Sequence, residues 1–136
     1  RRVNCAANLK QLGMACLMYS GEHQGAFPPD LATLAEAQLL PVGKVYCCPS
    51  RPADPVPASA ADLRAGKCGY IYVGAGLRDD DAEATRRIVA YDRPGNHDGK
   101  WLNALFVDGH VEGVAARSIE DACQQKGWLL PKPQAK

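Results

Sequence analysis

Two short groupings hold the residues best suited to metal chemistry: Asn96-His97-Asp98 and Asp108-Gly109-His110. Two histidines with two aspartates could ligate a divalent ion, and such an ion activates water for hydrolysis. Only three histidines occur in the 136 residues, which is sparse for a two-metal hydrolase. The competing reading is structural. Asp108-Gly109 lies between two β-branched and aromatic runs and supplies the positive-φ positions of a type I′ turn. His110 then follows a tight turn, and His97 hydrogen-bonds loop backbone. No serine, cysteine or histidine arrangement points to a nucleophile, and Gly74-x-Gly76 reads as a turn rather than a phosphate cradle.

Oxygen-rich segments offer a second chemistry. Asp79, Asp80 and Asp81, with Glu83 just beyond, form an acidic loop that could take calcium. Asp92, Asp98 and Asp108 form a second candidate set. The loop lacks EF-hand spacing, so a solvated turn is the alternative.

Six cysteines, Cys5, Cys16, Cys47, Cys48, Cys68 and Cys123, are many for this length. There is no C-x-x-C, and Cys47-Cys48 are adjacent, so the spacing does not match a zinc motif. The even count favours one to three disulfides and an oxidising compartment; buried free thiols are the other reading. If residues 3–20 are helical, Cys5 and Cys16 lie about 16 Å apart along the axis and cannot pair, since the Cα limit is about 7 Å. Cys47 or Cys48 with Cys68 is favoured, because these residues flank the loop that most needs closing.

The elements that must position these groups follow from pattern. Cys5, Leu9, Leu12, Cys16 and Tyr19 form one apolar stripe, giving an amphipathic helix over 3–20 that Gly21 and Gly25 end. Asp30 caps a second helix through about Leu39, with Leu31, Leu34 and Leu39 inward. The stretch from Cys48 to Pro57 holds four prolines, so 41–67 is a long irregular loop with a helical turn near 60–65. Tyr70–Val73, Ile88–Tyr91, Leu105–Val107 and His110–Val114 read as strands of a small antiparallel sheet over 68–115. Ser118 caps a last helix over 118–126, with Asp121 completing a capping box. The tail from Leu130 to Pro133 reads as loose. The expected class is α+β in one domain, residues 1–136.

Net charge of +1 and isolated Arg1-Arg2 and Arg86-Arg87 pairs argue against a nucleic-acid partner. No apolar run approaches the roughly 20 residues of a membrane-spanning helix, so the chain as given reads as soluble.

Two stretches resemble a known group. Asn8, Leu9, Lys10 and Gln11, within Cys5–Ala15 and followed by Tyr19 and Phe27-Pro28-Pro29, are similar to the segment after the transmembrane half of the N-terminal helix in type II secretion pseudopilin-like and type IV pilin-like proteins. His97, a spacer, then Asp108 and Gly109 within Leu105–Glu112 resemble the histidine–spacer–Asp-Gly signature of prepilin-processed proteins. Cys48-Pro49-Ser50 and Tyr70-Ile71-Tyr72 fall in the expected order. The spacer here is ten residues, Asp98 to Val107, against about nine in the group, which permits a bulge before the hairpin.

The resemblance implies a pilin-like fold and a structural, non-enzymatic role as the head of a filament subunit in a type II secretion or type IV pilus-like machine. The partners would be other pilin-like subunits and the assembly machinery. It also implies a missing leader and apolar half-helix anchoring the precursor in the inner membrane, with a periplasmic or extracellular head. It raises the expectation of calcium near the C-terminal sheet, since pseudopilins of the type II secretion class often hold one. A secreted or cell-surface adhesion module with a pilin-like fold is the alternative. Gly95-Asn96-His97-Asp98 also resembles one motif of calcineurin-like metallophosphoesterases, but the Asp-x-His and Gly-His-x-His motifs that accompany it there are missing. A small metal-dependent hydrolase is therefore the third reading.

Overall fold

In the computed structural model, which describes residues 2–52 and 54–132, the first helix (α1) spans Arg2–Glu22. Cys5, Leu9, Leu12 and Cys16 are fully buried, as their stripe requires. Gly21 lies inside the helix and does not end it. The stop comes just past Glu22, where Gln24 and Gly25 take positive φ values of 52° and 87° and the Gly25 N–H donates to the Ser20 carbonyl at 2.8 Å. Glycine adopts that conformation without the Cβ penalty.

The side of α1 turned away from the core corrects the amphipathic expectation. Val3, Met14 and Met18 are 75%, 58% and 55% exposed, and Ala7 is exposed with them. At 3.6 residues per turn these four fall within about 60° of one another, roughly opposite Cys5, Leu9, Leu12 and Cys16. The helix carries two apolar stripes. One is buried on the sheet and the other is open to solvent.

Asp30 caps the second helix (α2, Leu31–Glu36) by accepting the Thr33 N–H at 2.8 Å. It stops short of Leu39 because Gln38 turns to φ 60°. The Leu39 and Leu40 N–H groups then both return to the Leu34 carbonyl. The irregular segment carries a 3₁₀ turn at Lys44–Tyr46 and a short helix (α3, Ala60–Arg64) capped by Ser59. Arg64 reaches Glu36 at 2.7 Å and Asp30 at 3.3 Å, clasping α3 against α2.

The strands β1 (Tyr70–Tyr72), β2 (Ile88–Asp92), β3 (Leu102–Phe106) and β4 (Val111–Val114) form an antiparallel sheet in the order β1-β2-β3-β4. β3 begins three residues before the expected run, and all five of its residues are buried. That follows from cover on both faces. Leu105, Val89 and Ala90 join Leu9, Leu12, Cys16 and Leu34 on the α1 side. Ile88, Leu102, Ala104 and Phe106 pack with Ile119, Ala122 and Trp128 on the other. The last helix (α4, Ile119–Lys126) supplies Ile119 and Ala122, with Ser118 accepting the Asp121 N–H at 3.0 Å. The Asp121 carboxylate returns to the Arg117 N–H rather than to that of Ser118, so the box is displaced by one residue. Past Gly127 the chain is tied down to Leu130. Leu129 exchanges hydrogen bonds with Arg86 and Ile88, and Leu130 packs on the second core; Pro133 lies outside the described residues.

Both Asp-Gly pairs sit in turns, and the type I′ turn expected at Asp108-Gly109 is found instead at Asp98-Gly99. At Asp98-Gly99 both φ values are positive, 57° and 69°, and the Lys100 N–H donates to the His97 carbonyl at 3.0 Å, a type I′ turn. At Asp108-Gly109 only Gly109 is positive, at 90°. The Gly109 N–H donates to the Phe106 carbonyl, and the Phe106 N–H to the His110 carbonyl. This is the three-residue loop with a glycine bulge, not a two-residue type I′ hairpin. The irregularity in strand register lies between Ile88 and Ala90 in β2.

Candidate functional site

Four polar or sulfur-bearing side chains from distant parts of the chain meet beneath the sheet's β1–β2 end. Cys5 comes from α1, Cys48 from the loop, Asp92 from the end of β2, and His97 from the turn that follows. Their ligand atoms all lie within 4.8 Å of one another. Cys5 and Asp92 are fully buried, Cys48 nearly so, and the His97 side chain is 8% exposed.

Local chemistry fixes each member. Cys5 sits on the buried stripe of α1. Asn8, one turn on, donates to the Cys47 carbonyl at 2.9 Å and holds the loop against the helix. Gly69 makes room, since a Cβ there would fall 2.6 Å from the Cys48 nitrogen. Asp92 Oδ2 accepts the Asn103 backbone N–H at 2.9 Å and its side-chain amide at 3.0 Å, while Oδ1 accepts Asn96 Nδ2 at 3.2 Å. Asn96 also donates to the Gly69 carbonyl at 2.7 Å. His97 Nε2 lies 3.1 Å from Asp92 Oδ2 and 4.0 Å from Cys48 Sγ, with Ser50 Oγ 3.4 Å from Nδ1. Burial raises the Asp92 pKa above the usual carboxylate value, and the hydrogen bonds from Asn103 and Asn96 and the His97 charge only partly offset it.

Cys5 and Cys48 form a disulfide with Cα atoms 5.3 Å apart. Cys48 is therefore joined to the helix and not to Cys68, as the loop-closing argument favoured. Cys16, Cys47, Cys68 and Cys123 are free. Burial raises all four thiol pKa values, Cys16 to about 12 and Cys68 to about 11. None is the depressed thiol that nucleophilic chemistry uses.

The remaining sequence candidates disperse. Ser20 donates to Asp79 at 2.8 Å, Asp80 pairs with Arg78 at 3.1 Å, and Asp81 pairs with Arg87 at 2.5 Å, so each acidic-loop carboxylate turns to its own partner. Asp92 is buried, Asp98 is exposed in its turn, and Asp108 faces His110. Among the described residues neither set converges as a cation site; the converging group is Cys5, Cys48, Asp92 and His97. His97 contacts side chains rather than loop backbone, which corrects its expected role. His110 is gripped by Asp108 at one ring nitrogen and by Glu112 at the other, 2.8 Å away, and stacks on Phe106. With both nitrogens occupied it offers no lone pair to a metal. Of the helix signature, Asn8 holds the loop, Leu9 is buried, and Lys10 reaches the Gly109 carbonyl at 3.0 Å; Gln11 is exposed.

Sequence reasoning had every member of the buried tetrad, but split among a disulfide list, a calcium list and a signature. The signal that could have turned Asp92 inward was strand alternation from Ala90 onward, past the irregularity at Ile88–Ala90, with Tyr91 on the opposite face. Comparison with family models, with curated proteins and with solved structures returns no match to this chain.

Proposed function

We propose that this chain is the head of a pilin-like filament subunit, with a structural and not a catalytic role. The observation that carries the reading is the second apolar stripe on α1, Val3, Ala7, Met14 and Met18, left open on a helix whose other side is already buried. A helix apolar on two opposite sides has one side too many for a lone domain. Filament assembly gives the outer stripe a use, because equivalent helices of neighbouring copies pack against it. The order of the helix signature, the loop and the Asp-Gly hairpin supports the same reading, as do the raised pKa values of the free thiols.

The test is the mature amino terminus of the natural protein. A short basic leader removed by a prepilin peptidase, followed by about 20 apolar residues running into α1, is the expected result. An ordinary secretory signal cleaved next to Arg1 would contradict it and favour the adhesion module.

A further inference from the structure

We propose that Cys5, Cys48, Asp92 and His97 are the ligands of a closed zinc site, occupied when the two sulfurs are thiolates, so that Zn²⁺ and the Cys5–Cys48 disulfide are alternative staples at one place. A disulfide needs no polar neighbours, yet a carboxylate and an imidazole are buried against this one, with their ligand atoms within 4.8 Å of both sulfurs. The donor set of two sulfurs, one imidazole nitrogen and one carboxylate oxygen suits Zn²⁺, and four protein ligands make a structural rather than a catalytic site. Orienting groups are present as well. Ser50 stands at His97 Nδ1 and turns Nε2 toward the sulfurs, while Asn103 and Asn96 fix the Asp92 carboxylate. The ligands are scattered between residues 5 and 97, so no short motif announces them.

Loading is balanced simply: Zn²⁺ binds the dithiol form, two S–H protons leave, and two Zn–S bonds form. Passage to the disulfide form requires a disulfide-bonded carrier. Thiol–disulfide exchange passes two electrons from Cys5 and Cys48 to that carrier, which leaves as a dithiol while the metal ion is released.

The experiment uses the folded chain reduced with a phosphine, desalted, and titrated with Zn²⁺ against a chromophoric chelator, with Co²⁺ in parallel. One equivalent of Zn²⁺ is expected. Co²⁺ should give a thiolate charge-transfer band and the visible bands of a tetrahedral site. The oxidised chain should bind neither. A triple variant, C47S/C68S/C123S, should retain both signals, whereas H97Q and C5S should weaken binding at least tenfold. Failure of the reduced, folded native chain to bind at micromolar Zn²⁺ overturns the proposal. So does a signal that follows Cys47 and Cys68 instead of Cys5. Because the native chain gives the primary readout, a variant that fails to fold leaves the test decisive.

Discussion

Lys10 Nζ donates to the Gly109 carbonyl at 3.0 Å, pinning α1 to the loop between β3 and β4. The contact joins the two stretches on which the pilin-like resemblance rests, and it holds the helix where Gly13 meets the sheet. A Cβ at Gly13 would fall 2.5 Å from Leu105 Cδ1, so the helix approaches β3 as closely as a glycine allows.

Gly109 is constrained twice, by its positive φ of 90° and by Leu17 Cδ1 lying 3.0 Å from any added Cβ. Gly109→Ala is expected to destabilise the fold by about 1–2 kcal/mol, and Lys10→Met by about 1 kcal/mol. Urea unfolding followed by circular dichroism measures both. Unchanged midpoints would remove this clamp from the account.

The disulfide closes a long loop, the two cysteines being 43 residues apart in sequence. Chain-entropy arithmetic for such a loop gives about 4 kcal/mol. In metal-free buffer, reduction should therefore lower the urea midpoint by a corresponding amount, and Cys5→Ser should make the chain insensitive to reductant. A reductant effect that survives in Cys5→Ser would place the stabilising bridge elsewhere.

His110 sets a pH dependence. Burial acts to lower its pKa, but hydrogen bonds and charges from Glu112 and Asp108 outweigh this and raise it. A raised folded-state value means the contribution is complete below the unfolded value near 6.5 and fades as pH rises through the folded value. The side chain is about a third exposed, so solvent screening keeps the effect below about 1 kcal/mol. Wild type and His110→Gln should differ most at pH 5.5 and converge by pH 8.5 in parallel urea titrations. A gap that widens with pH would have the wrong sign.

Local signals were legible in the sequence where local chemistry decides. Asp30 and Ser118 cap their helices because each needs only the N–H three residues on, and the stripe Cys5, Leu9, Leu12, Cys16 reads directly as a buried face. Asp108-Gly109 was legible as a turn but not as a turn type. The type depends on where β3 ends, and Phe106, its last residue, leaves three residues and not two to close the loop. The outer stripe of α1 escaped notice because Val3, Ala7, Met14 and Met18 are interrupted by Lys10 and Gln11. The tetrad was hidden for a different reason: cysteine connectivity is not encoded by spacing, and Asp92 and His97 reach the sulfurs only through the pairing of β1 with β2 and the turn beyond.

The filament reading stands or falls on the exposed stripe of α1. M14E/M18E places two charges on the solvent side, so the isolated head should keep its circular dichroism spectrum and its unfolding midpoint within about 0.5 kcal/mol. The direct measurement is immunodetection of the full-length protein in sheared surface or periplasmic filaments from cells expressing either wild type or this variant. The account predicts wild type in the filament fraction and the variant retained in the membrane fraction, folded but unassembled. Equal incorporation of both, or a wild-type protein found only as a free monomer, would contradict it.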